Sequence, residues 1–262
     1  MRISYSAFDT FNRCPLQYKF SYIERIQTPD KPELFFGGLI HKIVQYALKK
    51  DPILPKEEEL LAMLKAGWRK DIFASKNDSE QYFKFGEEMI KKFYAGYRPG
   101  LRNIVAVEKR FQIPLSEKHI LSGVIDRIDK LPFGAFEVID YKTSKALPTQ
   151  NEVDKDKQLG IYNFAVEKLW PEAKDIRLTL YYLKFNSLLT TKRRTDEVDQ
   201  IKSEIIETAD KIENATEFPP KDNPLCNWCS YQHLCPLKKQ GLNSSNPAPG
   251  AGYNRLKEEN ID

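Results

Sequence analysis

Residues 119 to 143 carry the tightest constraint in this 262-residue chain. HILSGVIDRID and AFEVIDYKT alternate in hydropathy on either side of LPFG, the pattern of two strands joined by a tight turn. Side chains two apart on a strand share a face, so Asp140 and Lys142 point one way while Glu137, Ile139 and Tyr141 point the other. If LPFG closes the hairpin, Asp126 lies across from Asp140 within a residue or two. Two carboxylates and an ammonium then converge on one side of a sheet. Carboxylates that close repel one another, and a divalent cation such as Mg2+ or Mn2+ is the usual resolution. An ion held this way lowers the pKa of a bound water and stabilises a phosphodiester under attack, and a nearby lysine orients that water or neutralises the phosphate. Spacing alone leaves a second reading open, a surface hairpin with an ordinary Asp140–Lys142 ion pair.

The rest of the chain supplies a setting for such a hairpin. An apolar content of 41% with 12% aromatics is enough for a core, and 41 basic against 37 acidic residues give only a weak basic bias. Any polyanion must therefore meet charge that is concentrated locally. Helical periodicity covers about 4 to 23, bent at Cys14-Pro15, with Ser6 and Asp9 resembling a capping box. It recurs at about 34 to 50, 56 to 70 and 78 to 98, the last capped within Asn77 to Ser79. After the first strand, IVAVEKRFQI, and the hairpin come a helix at about 152 to 168, strands near 176 to 185 and 188 to 195, and a charged helix at about 196 to 215. EFPPKDNP at 217 to 224 reads as a stiff linker, and residues 241–262 as a disordered tail. There is no phosphate-loop motif, so a motor of that type belongs on a separate chain. No run of 18 apolar residues and no signal-peptide core occur, so a cytoplasmic protein without membrane association is expected.

Cysteines in that compartment point to metal rather than disulfides. Cys226, Cys229 and Cys235 lie within ten residues, and the one other cysteine is Cys14. Three thiolates can grip a metal centre, and Cys14 or His233 is left to close it. Zinc and a [4Fe-4S] cluster both accept four thiolates, and spacing does not separate them. Near Cys14, Tyr5, Phe8, Phe11, Tyr18 and Tyr22 alternate with Arg13, Lys19 and Arg25, a composition suited to stacking single-stranded bases, although core rings with solvated cations fit it too. The run Lys192, Arg193 and Arg194 reads either as a backbone contact or as a solvated strand end. His41 in GGLIHKIVQ is, as a lone histidine in an apolar helix, more often core than ligand, with Gly37 and Gly38 allowing close approach to the sheet. Glu108 is a weaker candidate, equally well read as an exposed strand-end carboxylate.

SGVIDRID, EVIDYKT and QLGIY together resemble the RecB-type branch of the PD-(D/E)xK nuclease superfamily. The resemblance implies a single α/β domain over residues 1–240, with a central mixed sheet flanked by helices and an N-terminal helical region. It makes Asp126 and Asp140 metal ligands, Lys142 the catalytic lysine, and His41 a further ligand. Tyr141 completes the candidate ligand set, and Gln158 and Tyr162, i and i+4 on one helical face, join the candidate catalytic group. YSAFDTFNRCPLQYKF and CNWCSYQHLC resemble the cysteine-bearing ends of the AddB nuclease domain and of CRISPR-associated adaptation nucleases. This implies a [4Fe-4S] cluster on Cys14, Cys226, Cys229 and Cys235, acting as a staple between the chain ends. The expected activity is metal-dependent exonucleolytic hydrolysis of single-stranded or frayed DNA in repair and recombination. The rivals are spacer trimming in CRISPR adaptation and a non-catalytic DNA-end binding module. A helicase or a CRISPR integrase subunit is the expected partner chain.

Overall fold

A computed structural model describes residues 1–239, so the reading of 241–262 as a disordered tail falls outside the described residues. The strands form a mixed sheet, β1 Arg2–Ser4, β2 Ile104–Pro114, β3 Ile120–Lys130, β4 Ala135–Lys142, β5 Asp175–Tyr182 and β6 Ser187–Thr191, flanked by helices as expected. Among the described residues no helix is long and apolar enough to cross a membrane. The chain divides into two compact units, each built from non-contiguous segments.

The larger unit comprises residues 30–110 and 124–194. Its helices α3 Pro32–Leu48, α4 Glu57–Ala66 and α5 Lys76–Gly96 pack an apolar cluster that includes Ile40, Ile43, Leu60, Leu64, Met89 and Phe93 against Ile139 and Tyr141 of β4. The cap of α5 is Ser75, whose hydroxyl accepts from the Asp78 N–H, so this helix starts earlier than the Asn77–Ser79 expectation. β3 and β4 pair antiparallel through Arg127↔Ile139, and β4 runs parallel to β5 along its whole length. Nearly every β4 residue is buried, as a strand covered on both faces requires. The helix expected at 152 to 168 is two, α6 Gln150–Asp154 and α7 Lys157–Leu169. Asp156 caps α7 by accepting from the Leu159 N–H and so restarts the helix, a break that hydropathy periodicity does not register.

The smaller unit comprises residues 1–29, 111–123 and the described chain from 195 onward. Arg2–Ser4 pairs in parallel with Ile120–Ser122, and this pairing moves the helix cap to Ser4, two residues before the expected Ser6. Three residues are too few for an alternation to be seen. Helix α1, Tyr5–Arg13, stops at Cys14, and Pro15 opens the short α2, Pro15–Tyr18, which confirms the expected bend. Helix α8, Thr195–Glu213, meets α1 through the Asn12 amide, which donates to Thr208 Oγ1 at 3.2 Å.

Gly123 has a packing reason that composition cannot reveal. A Cβ there would stand 2.6 Å from Cζ of Phe111, itself buried at 4% exposure. Gly123→Ala should therefore destabilise the protein by about 1–3 kcal/mol through overpacking. Urea unfolding monitored by circular dichroism reads this directly, and Gly38→Ala, inside α3 where a Cβ meets nothing within 4 Å, is the contrasting control that should stabilise by about 0.5–1 kcal/mol.

Candidate active site

The hairpin register aligns Arg127 with Ile139, so the next step up the ladder sets Asp126 against Asp140. Asp126 is buried, and its Oδ2 accepts from the Tyr141 N–H at 3.0 Å and lies 3.3 Å from His41 Nδ1. Helix α3 carries His41 to this point. A Cβ on Gly37 would come within 3.3 Å of Thr143 Oγ1, which accounts for glycine there, whereas Gly38 meets no such limit. Glu108, on β2, completes a group with His41 and Asp126 whose ligand atoms all lie within 4.8 Å of one another. Its φ of 54° departs from strand geometry. Simple alternation along IVAVEKRFQI cannot foresee that local reversal, and so gives no reason to place Glu108 beside His41 and Asp126.

A second group surrounds Asp140 and Lys142, both buried. The Lys142 ammonium stands 2.7 Å from Asp140 Oδ2 and donates to Gln158 Oε1 at 3.1 Å. The Gln158 amide donates to the Tyr162 oxygen at 2.9 Å, and the Tyr162 hydroxyl donates to Asp140 Oδ1 at 3.2 Å. Four side chains from β4 and α7 thus close a ring of contacts. Within it Asp140 Oδ2 faces the Lys142 ammonium and, as a buried carboxylate oxygen, has acceptor capacity to spare for a cation. Burial pushes the Asp140 carboxyl above the usual range, Lys142 draws it back and Asp126 raises it further. Burial lowers the Lys142 pKa, but Asp140, followed by Asp156 and Asp126, outweighs this and leaves it raised, so the amine stays protonated. Burial, with Asp140 and Asp126 behind it, also raises Tyr162 and keeps it a neutral donor.

Tyr141 is placed differently from the other candidates. Its ring joins the apolar cluster beside Phe93, and its hydroxyl accepts from Arg127 at 3.3 Å, so its side chain stays among the core residues. The two acids of IDRID also divide their roles. Asp129 is fully buried and takes a bidentate pair from Arg127, both contacts at 2.7 Å, while Asp126 meets His41.

The other sequence candidates sit in the smaller unit or at strand ends. Phe8 and Tyr18 are buried, Tyr18 stacks on Tyr22 at 5.0 Å, Arg13 pairs with Asp9 and Lys19 with Glu24. The N-terminal aromatic strip is thus largely packing material. Arg193 donates to the carbonyls of Val153 and Asp156 and ties the α6–α7 corner, while Lys192 pairs with Asp175. None of the four cysteines forms a disulfide, and each is partly buried. The Lys221 N–H lies 3.5 Å from Cys14 Sγ, and the Lys221 carbonyl 4.0 Å from Cys226 Sγ. The four sulfurs are not drawn together, and among the described residues no three lie within 4.8 Å of one another.

The chain is similar in sequence to several known proteins. Over 152 residues the chain is 25% identical to a subunit of the ATP-dependent helicase/deoxyribonuclease of Streptococcus agalactiae serotype Ia, a match covering 55% of this chain and 14% of that protein. The protein of the same description from Streptococcus uberis is 21% identical over 154 residues, covering 56% and 14%. The chain thus matches only about a seventh of the length of these curated relatives. A crystal structure of a candidate exonuclease from Eubacterium rectale superposes with a TM-score of 0.54 at 11% identity, covering 94% of each chain, and shares the fold. The family model described as PD-(D/E)XK nuclease superfamily matches residues 2–236, so the chain belongs to that superfamily.

Proposed function

We propose that this chain hydrolyses phosphodiester bonds in DNA, working as an exonuclease on single-stranded or frayed ends. The observation that carries the reading is the buried Asp140–Lys142 pair at 2.7 Å, on the strand beside the His41–Glu108–Asp126 group whose ligand atoms lie within 4.8 Å of one another. A divalent cation held by Asp126 and Asp140, with His41 and Glu108 in reach, supplies charge stabilisation at the phosphate and a more acidic water. Lys142, kept protonated by the surrounding acids, presents a cation to the nucleophile or to a phosphate oxygen. Gln158 and Tyr162 hold Lys142 and Asp140 in register. The names of the streptococcal relatives pair a deoxyribonuclease with an ATP-dependent helicase, which supports work alongside a helicase, in repair and recombination on our reading, over spacer trimming. Retention of acids, histidine and lysine in contact supports catalysis over end binding alone.

We also propose that Cys14, Cys226, Cys229 and Cys235 hold an iron-sulfur cluster. Its support is the convergence of Cys14 and Cys226 on the single residue Lys221. No three of the sulfurs share the 4.8 Å spacing of ligands to a single ion, and a cluster of several irons spans a wider ligand set. Anaerobic preparations should be brown, with broad absorbance near roughly 400 nm and about four irons per chain, and Cys14→Ser should lose them. A colourless protein with one zinc per chain overturns this assignment.

Asp126→Ala and Asp140→Ala should abolish Mn2+-dependent cleavage of end-labelled single-stranded DNA. Lys142→Ala should reduce it by orders of magnitude, while binding in Ca2+ persists in all three. Wild-type cleavage by Lys142→Ala would place the chemistry elsewhere.

The raised Asp140 carboxyl links metal to pH. Folded protein holds that proton more tightly than unfolded chain, so the stabilisation is complete below the ordinary carboxylate range and disappears as pH rises through the folded value. A cation needs the ionised form and competes with the proton. The rise in Tm on adding Mn2+ should therefore grow with pH above the ordinary aspartate range, and Asp140→Asn should remove that growth. Paired thermal melts across pH check it.

A further inference from the structure

Two chain segments leave the candidate site side by side. Lys142 ends β4 opposite Tyr182 of β5, and its carbonyl accepts from the Leu183 N–H at 3.0 Å. Three residues beyond Lys142 stands Lys145, and two beyond Tyr182 stands Lys184. With consecutive Cα atoms about 3.8 Å apart, Lys145 begins within about 11 Å of Lys142. The Lys184 ammonium donates to the Lys145 carbonyl at 3.2 Å, and the Lys92 ammonium, from α5, donates to the Lys184 carbonyl at 2.6 Å. Lys145 lies 4.3 Å over the Tyr82 ring, and Lys184 lies 5.4 and 5.0 Å from the centroids of Phe85 and Phe185. Phe185 is 38% exposed.

Charge balance makes this group unusual. Among the described residues, none of the three lysines has a carboxylate within ion-pair distance, although Glu33 accepts from the Tyr82 hydroxyl at 3.1 Å. Main-chain carbonyls and ring faces hold the ammoniums in place without cancelling their charge. The platform is also firm. The β5–β6 turn is closed by Phe185 N–H to Tyr182 and Asn186 N–H to Leu183, and a Cβ on Gly96 of α5 would stand 2.9 Å from the Asn186 side chain.

We propose that Lys145, Lys184 and Lys92, with Phe185, form the lane that carries a single DNA strand at the mouth of the site. The proposal rests on the nuclease reading above. Adjacent uncompensated cations fit successive phosphates, and an exposed ring held in a rigid turn fits base stacking. A flexible, unpaired strand is the occupant, because only an unstacked base can reach an aromatic face that stands beside cations fitted to the backbone.

The experiment uses the full chain, Ca2+ in place of the catalytic ion, and a fluorescent single-stranded oligonucleotide followed by anisotropy across a salt series. Lys145→Ala/Lys184→Ala should bind more weakly, with the slope of log affinity against log salt reduced by about 1.4, two single-strand contacts of about 0.7 each. Lys56→Ala/Lys65→Ala, the same loss of charge at the cap and in the last turn of α4, should bind like wild type, and Lys184→Arg should keep the slope. Phe185→Ala should weaken single-stranded binding more than blunt duplex binding. Hydrolysis of bis(p-nitrophenyl) phosphate, which needs only the reacting centre, should be unchanged in all of them. An unchanged slope and affinity in the double lysine variant overturns the lane and leaves the nuclease reading standing. Failure of wild type to bind DNA at all overturns both.

Discussion

The fold is organised around charges that have been taken out of water. Asp140 and Lys142 are buried together, and neither is tolerable there alone, since an isolated buried ion costs several kcal/mol or changes its protonation. This requirement accounts for much of the neighbouring architecture. Helix α7 must restart at Asp156 so that Gln158 and Tyr162 face β4, and the parallel pairing of β4 with β5 must cover the strand on both sides. Removing either member of the ion pair would leave its partner uncompensated, so the site is as much a constraint on stability as a device for chemistry.

The two acids of the IDRID segment show how the same residue type is put to opposite uses. Asp129 is neutralised within the protein by a bidentate arginine, whose plane also lies 5.4 Å from the Tyr97 ring. Asp126 accepts a backbone N–H and sits against a histidine, and the Asp140 carboxyl beside it is pushed up in pKa. Protein dipoles and cations therefore satisfy one side of the strand, and the other keeps oxygen atoms that an exogenous cation suits.

Much of this was legible from residues alone because it rests on period-two patterning. The hairpin, the facing of Asp126 and Asp140, and the opposite facing of Ile139 and Tyr141 all follow from alternation plus a turn. What escaped was non-periodic. The left-handed residue Glu108, the three-residue strand at Arg2–Ser4 and the restart of the helix at Asp156 are single-residue or very short events that no window of hydropathy resolves. The N-terminal aromatic and basic residues left two readings open for a related reason. Composition records what a segment contains and is silent on whether Phe218 arrives to stack on Tyr18, whereas the exposed basic and aromatic group by Lys145 comes from three segments that are distant in sequence.

The interleaving of the two units has a consequence for the order in which the protein forms. Residues 30–110 and 124–194 make up the larger unit, so all of its described partners have been synthesised once residue 194 has emerged. The first 29 residues are in the opposite position, because Asn12 waits for Thr208, Tyr18 for Phe218 and Phe20 for Tyr231. This segment is thus completed late, its aromatic side chains lacking these partners until residues 208 to 231 have been made. Contacts across about 200 residues of sequence carry a large loop-closure cost that only the finished chain repays. A chain interrupted shortly before residue 208 would keep the elements around Asp140 and lack the partners of its own N-terminus, a species disposed to bind chaperones or to aggregate.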